Sequence, residues 1–231
     1  MTNEEMNKRK QQLAAKSRYG IDDLLMIMKL LRAPGGCPWD RVQTHKSIRN
    51  DMLEEAYEAA DAIDSGDSEH LREELGDVLL QVVFHAAISE DDGDFCFDDV
   101  VNDICAKLVL RHPHVFGEVS VDGVEGVLSN WDAIKQKSHG NETLHEALDD
   151  VSRTLPSLMR AAKLSRKVDK AGKLPHKPEL NRYDDIAEDE LEYKIGEDLF
   201  CAAAAARRRG VEPEQALYEA CERFINSKKP E

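Results

Sequence analysis

The stretch from Asp51 to Ile88 constrains the fold most, because it shows the period of an α-helix on both sides of a short polar break at 64–70. On a wheel of about 100° per residue, the acidic residues of the first segment fall within an arc of about 120°, opposite its apolar residues. Residues 78–88 are apolar on nearly every face, as in a buried helix. The polar side chains of the second segment lie along one strip: Glu74, Asp77, Gln81 and His85. The pattern predicts two adjacent helices whose acidic sides meet.

Two pairs of acids, Glu55/Glu58 and Glu74/Asp77, stand three residues apart on these consecutive helices. A single pair at this spacing is more often a solvated helix face. Here the second pair begins an almost wholly apolar helix, and carboxylates that are brought together repel unless a cation lies between them. Oxygen ligands without histidine or cysteine suit a hard cation. The two pairs therefore predict a site for Mg²⁺, with Mn²⁺ as the alternative.

The composition favours helices and a small, non-polymeric partner. Of 231 residues, 33% are charged and 6% aromatic, and almost no segment alternates with period two, so we expect an all-α chain of one large or two small domains. A net charge of −15 argues against nucleic acid or an anionic membrane as partner. Five cysteines without a CxxC pair, no signal peptide and no apolar run of about 20 residues predict a cytoplasmic protein with reduced thiols.

The second half of the chain reads as an eroded copy of the first. The segment from Leu158 resembles that from Leu25, and KIGEDLF from Lys194 resembles ELGDVLL from Glu74. Lys194 replaces Glu74 and Glu197 replaces Asp77, so the predicted metal site occurs once per chain and the second half is structural or regulatory. The expected organisation is a polar lead-in at 1–18, a helical domain at 19–138 that carries the carboxylates, a linker at 139–154 and the reduced copy at 155–231.

Four motifs together resemble those of the MazG family of nucleoside triphosphate pyrophosphohydrolases. Glu54, Glu55 and Glu58 form EExxE, Glu74 and Asp77 form ExxD, and CPWD at 37–40 and RHPHVF at 111–116 flank them. The resemblance implies an all-α helical bundle, tandem copies of the domain and a homodimer with helices packed across its interface. It implies Mg²⁺-dependent hydrolysis of NTPs or dNTPs between the α- and β-phosphates, which gives a nucleoside monophosphate and pyrophosphate through a metal-activated water.

The resemblance also implies roles for individual residues. The metal ligands would be Glu55, Glu58, Glu74 and Asp77. The role of Glu54 is left open: it binds a second ion, orients water as general base, or faces solvent. Two later pairs match family positions that approach the nucleotide: Lys107 with Arg111, at i, i+4, and Trp131 with Lys135. Trp131 either stacks on the base or packs in the core.

Several other residues receive structural predictions. Trp39 in CPWD is expected to anchor a turn, and Thr44 or Ser47 to cap the first acidic helix. Asp67 or Ser68 is expected to cap the second helix. His85 is either a partner of the Glu74 strip or a core histidine.

Two other functions compete with hydrolysis. A ferritin-like di-iron protein needs an ExxH motif on each of two helices, and this chain has only Glu142 with His145, beside a linker. The stronger alternative is a non-catalytic MazG-like protein that binds nucleotides or a regulatory partner. The degenerate second half favours it, and the intact first half opposes it.

Overall fold

The computed structural model describes residues 2–120, 143–172 and 182–228, together with residues 122, 123, 126, 127 and 134. The chain divides into two compact units, residues 1–131 and 132–231. The described residues form α-helices joined by turns and contain no strand, which confirms the all-α prediction. None of the described helices combines the length and the apolar composition that a membrane span requires. The finer domain limits at 138 and 154 stay predictions.

The described part of unit 1 contains seven helices around one core. They are α1 (Asn3–Ala14), α2 (Ile21–Arg32), α3 (Pro38–Val42), α4 (Arg49–Ser65), α5 (Ser68–Asp92), α6 (Phe97–Arg111) and α7 (Pro113–Phe116). The core joins α2, the residue before α4 and the C-terminal half of α5: Met28, Ile48, Val83, Phe84 and Ile88. Residues 3–14 of the predicted lead-in form α1, whose Met6 is buried.

Helices α4 and α5 form a tight antiparallel hairpin with only two residues between them. Gly66 ends α4 with a φ of +70°, a left-handed conformation that glycine adopts without steric cost. The Asp67 carboxylate accepts hydrogen bonds from the backbone N–H groups of Glu69 and His70, which confirms that Asp67 caps α5. The short link forces the acidic faces of the two helices together.

The prediction that Thr44 or Ser47 caps α4 is wrong. Helix α4 begins at Arg49 after Ile48, and no side chain caps it. The Thr44 backbone N–H donates to Ser47 Oγ at 2.9 Å, and the Ser47 N–H donates to Thr44 Oγ1 at 3.2 Å. Both hydroxyls therefore close the preceding turn, which brings Ile48 into the core.

Residues 78–88 of α5 are expected to be buried on nearly every face, and all of them except Leu79 are buried or half-buried. Leu79 is 40% exposed, and Leu75, one turn earlier, is 53% exposed. No residue of α6 is buried, and its apolar residues Val101, Ile104 and Leu108 are all exposed. Unit 1 thus presents two helices with uncovered apolar side chains.

Unit 2 contains four helices in its described part: α8 (Leu144–Asp149), α9 (Ser157–Lys170), α10 (Glu188–Arg208) and α11 (Pro213–Asn226). Their apolar core lies among α8, α9, α11 and the turn after α8: Leu148, Val151, Leu164, Val168, Cys221 and Ile225. Beside this core, Arg160 of α9 is 0% exposed. Its Nη2 lies 2.7 Å from Glu222 Oε1 of α11, and its guanidinium carbon lies 5.1 Å from the centre of the Tyr218 ring.

Candidate active site

Three carboxylates meet across the α4–α5 hairpin. Glu55 and Glu58 stand one turn apart on α4, and Glu74 faces them from α5. One oxygen from each residue lies within 4.8 Å of the others. Three oxygen donors at this separation, with no sulfur or nitrogen ligand among them, fit a hard divalent cation. The hairpin thus produces the meeting of acidic faces that the sequence pattern predicts.

Glu74 is the most enclosed of these groups, at 8% exposure. Its Oε1 lies 3.1 Å from His70 Nε2, one turn earlier on α5. Its Oε2 is sealed from solvent and has no hydrogen-bond partner within the described part of the chain. A buried carboxylate oxygen without a partner is destabilising. A divalent cation among Glu55, Glu58 and Glu74 would satisfy it, so the structure fits the metal that the motif implies.

The pKa of Glu55 is raised by burial and by the neighbouring negative charges. Burial raises this pKa above its usual value first, and the charges of Asp77, Glu58, Glu74 and Glu54 raise it further. Asp77 is the largest of these charge effects, so it acts on the same site although it lies outside the 4.8 Å trio. Glu54 is exposed on α4 and also lies outside the trio.

His85 contacts a second histidine instead of the carboxylates. Its Nδ1 lies 2.8 Å from Nδ1 of His45, with the two rings within 5° of parallel. Ser89 Oγ lies 3.2 Å from His45 Nε2. Burial lowers the pKa of His85, and the neighbouring charge of His45 lowers it further. These contacts fasten the turn before α4 to the C-terminal half of α5.

The remaining predicted site residues have different outcomes. Lys107 and Arg111 both lie on α6, one turn apart, with Lys107 exposed and Arg111 half-buried. Trp131 and Lys135 lie outside the described residues. The roles of all four in substrate binding stay predictions.

Sequence reasoning missed His70, and it left Gln81 and Trp39 without a function. The His70–Glu74 contact follows the i, i+4 rule and could have been found from spacing. Gln81 is buried at 7% exposure, which its polar character does not suggest. Trp39 packs edge-on against Phe84, with ring centres 6.3 Å apart, yet 58% of it is exposed. Trp39 lies on α3 and not in the predicted turn, and the helix leaves much of its indole ring exposed.

Comparisons with known proteins agree with this geometry. The family model for the MazG nucleotide pyrophosphohydrolase domain matches residues 43–116, which include all three carboxylates of the trio. The nucleoside triphosphate pyrophosphohydrolase of Escherichia coli K12 is 40% identical over 220 residues, which cover 88% of this chain and 84% of that protein. The nucleoside triphosphate pyrophosphohydrolase/pyrophosphatase MazG of Thermotoga maritima is 36% identical over 216 residues, which cover 89% of this chain and 82% of that protein.

Two further matches are shorter. The uncharacterized protein YabN of Bacillus subtilis is 52% identical over 140 residues, which cover 61% of this chain but only 28% of that protein. A crystal structure of a mazG-related protein from Thermotoga maritima aligns with a TM-score of 0.43 and 25% identity, over 50% of this chain and 98% of that chain. With its family match across the carboxylate hairpin and its relatives that extend over most of its length, the chain belongs to the MazG family of nucleotide pyrophosphohydrolases.

Proposed function

We propose that the chain hydrolyses nucleoside triphosphates, NTPs or dNTPs, between the α- and β-phosphates in a Mg²⁺-dependent reaction. The observation that carries the proposal is the carboxylate trio with the sealed, unpartnered oxygen of Glu74. The names of the E. coli and T. maritima relatives support the same reaction. A net charge of −15 fits a small anion that is bound together with a cation, and disfavours nucleic acid.

In this proposal Glu55, Glu58 and Glu74 hold the cation together with Asp77. When bound there, the cation, Mg²⁺ or Mn²⁺, would neutralise phosphate oxygens and make a nearby water more acidic. Glu54, exposed on the same turn of α4, orients the attacking water or accepts its proton. A bond forms between the water oxygen and the α-phosphorus, the bond to the bridging oxygen breaks, and pyrophosphate leaves. Lys107 and Arg111 offset the charge of the triphosphate.

The decisive test is pyrophosphate release from a panel of NTPs and dNTPs, with product identification, in the presence and absence of Mg²⁺. We expect a nucleoside monophosphate and pyrophosphate in a 1:1 ratio and, for Glu74→Gln, a loss of most of the activity. Glu197→Gln, at the position of α10 that corresponds to Asp77, is the matched control. If the wild-type protein binds NTPs without cleaving them, the result would instead support the alternative of a non-catalytic nucleotide-binding protein.

We also propose that a second copy of the chain covers the uncovered apolar side chains of unit 1. On α6 these recur at i, i+3 and i+7, and on α5 Leu75 and Leu79 are one turn apart, so each helix offers a continuous apolar stripe. Light scattering coupled to size-exclusion chromatography should give a homodimer, and Leu108→Glu should weaken it. A monomer at micromolar concentration would contradict this assignment. Location in the cytoplasm stays a prediction.

A further inference from the structure

The side-chain amide of Gln81 has an unusual environment. Gln81 is 7% exposed, and its Oε1 is sealed from solvent without a hydrogen-bond partner in the described part of the chain. Buried polar side chains in folded proteins are nearly always paired, so an exception needs an explanation. Glu74 is the other residue of α5 with such an oxygen, and there the proposed cation would account for it.

The position of Gln81 on α5 relates it to the carboxylates. Seven residues turn a helix by about 700°, so Gln81 lies within about 20° of Glu74 on the helix surface and faces the same side. It stands four residues after Asp77, a rise of about 6 Å along the axis. The amide therefore extends the acidic strip by one turn toward the C-terminal half of α5.

The neighbours of the strip differ at its two ends. Before Glu74 stands His70, a nitrogen donor that suits phosphate oxygens. Beyond Gln81 the strip continues to His85, and the adjacent core residue Phe84 contacts Trp39, more than half of whose surface is open. An exposed indole offers a face on which a nucleobase can stack. The phosphate chain therefore fits the His70 end of the strip, and the nucleoside fits the Gln81 end.

We propose that the Gln81 amide binds the nucleoside end of the substrate, next to the carboxylates that would hold the cation. The inference rests on the proposed function, because it needs a nucleotide at the trio. A glutamine amide both donates and accepts hydrogen bonds, which suits the hydroxyl and ring groups of a nucleoside. Such a contact is the same in the ground state and the transition state, so it contributes to KM and little to kcat.

The test is Gln81→Met, which keeps the length and flexibility of the side chain and removes the amide. For ATP we expect KM to rise about threefold to tenfold, the effect of one neutral hydrogen bond. We expect kcat to change by less than about twofold. The inhibition constant of magnesium tripolyphosphate, which lacks a nucleoside, should stay unchanged.

The Tm of Gln81→Met should stay the same or rise, because a sealed polar atom disappears. Gln12→Met, the same substitution at an exposed position of α1, is the control and should change none of these values.

Three results would overturn the inference. KM could stay unchanged, the inhibition constant of tripolyphosphate could rise as much as KM, or the Tm could fall by more than about 5 °C, which would give Gln81 a structural role. If the wild-type protein releases no pyrophosphate, the proposed hydrolysis fails first. The dissociation constant of α,β-methylene-ATP, compared between wild type and Gln81→Met, then decides the nucleoside contact separately.

Discussion

Helices α5 and α10 carry the same sequence pattern, but their charged side chains find opposite environments. In α5, Glu74 faces other carboxylates and keeps one oxygen without a partner. In α10, Lys194 takes the position of Glu74, and its Nζ lies 3.8 Å from Glu197 Oε2 and 3.6 Å from Asp198 Oδ1. The carboxylates of the first helix have no such cation among the described residues, whereas the second helix supplies its own in Lys194.

The largest effect should come from copying α10 into α5. In Glu74→Lys, the ammonium group would replace the cation among the remaining carboxylates, so we expect a loss of pyrophosphate release of roughly 1,000-fold or more. The Tm in EDTA should stay within a few degrees of wild type, because the new charge is opposite to its neighbours. Activity assays and thermal unfolding check this. Substantial Mg²⁺-dependent activity in this variant would refute the metal assignment.

The buried ion pair of unit 2 provides the next largest effect. Arg160→Met leaves Glu222 without its guanidinium, and loss of one partner of a buried pair is strongly destabilising. Because Glu222 stays partly exposed, we expect the free energy of unfolding of unit 2 to fall by about 2–3 kcal/mol. Urea unfolding measures it. Arg153→Met removes a largely exposed side chain beside the same glutamate, and it should lower the free energy of unfolding far less than Arg160→Met does.

The metal-free protein should become less stable as pH rises. The pKa of Glu55 is raised in the folded state, so between the usual and the raised value the folded chain binds more protons than the unfolded one. The free energy of unfolding therefore decreases as pH increases through this window, from about pH 4 upward. Urea titrations in EDTA should show that the free energy of unfolding decreases more steeply with pH for wild type than for Glu55→Gln. Mg²⁺ should reverse this loss of stability in the wild type. Identical pH profiles for the two proteins would contradict this account.

The reverse exchange in unit 2 should have the smallest effect. Lys194→Glu removes two ion pairs and puts like charges one turn apart in their place. In both ion pairs the two side chains are partly exposed. We expect a loss of about 0.5 kcal/mol in the free energy of unfolding and no new Mg²⁺ dependence. Thermal unfolding with and without Mg²⁺ measures both. A Tm increase caused by Mg²⁺ in this variant alone would show that one substitution restores a metal site.

Local patterns in the sequence were sufficient to predict the hairpin. Helical periodicity placed the acidic faces, the polar break located the turn at Gly66, and the cap at Asp67 follows from the preferences of helix ends. The pairs Glu55/Glu58 and Glu74/Asp77 are predicted to meet because two antiparallel helices with a short link have few alternatives. Glu55, Glu58 and Glu74 do meet, whereas Asp77 lies outside their cluster. These features depend on residues that are close together in the chain.

Features that depend on distant residues could not be predicted in this way. Arg160 lies in a segment rich in lysine and arginine that reads as solvated, and only the packing of α9 against α11 buries it. His45 and His85 are 40 residues apart, and no spacing rule pairs them. The exposure of Trp39 depends equally on what covers α3. In each of these cases tertiary packing decides the environment of the side chain.

The two-residue link between α4 and α5 also has a kinetic consequence. Glu58 and Glu74 are only 16 residues apart, so closing the chain between them costs little entropy and their contact has a low contact order. The hairpin can form before the long-range contacts of the core, as a local folding unit. Mg²⁺ present during refolding should then accelerate the folding of unit 1 itself, in addition to stabilising its final state.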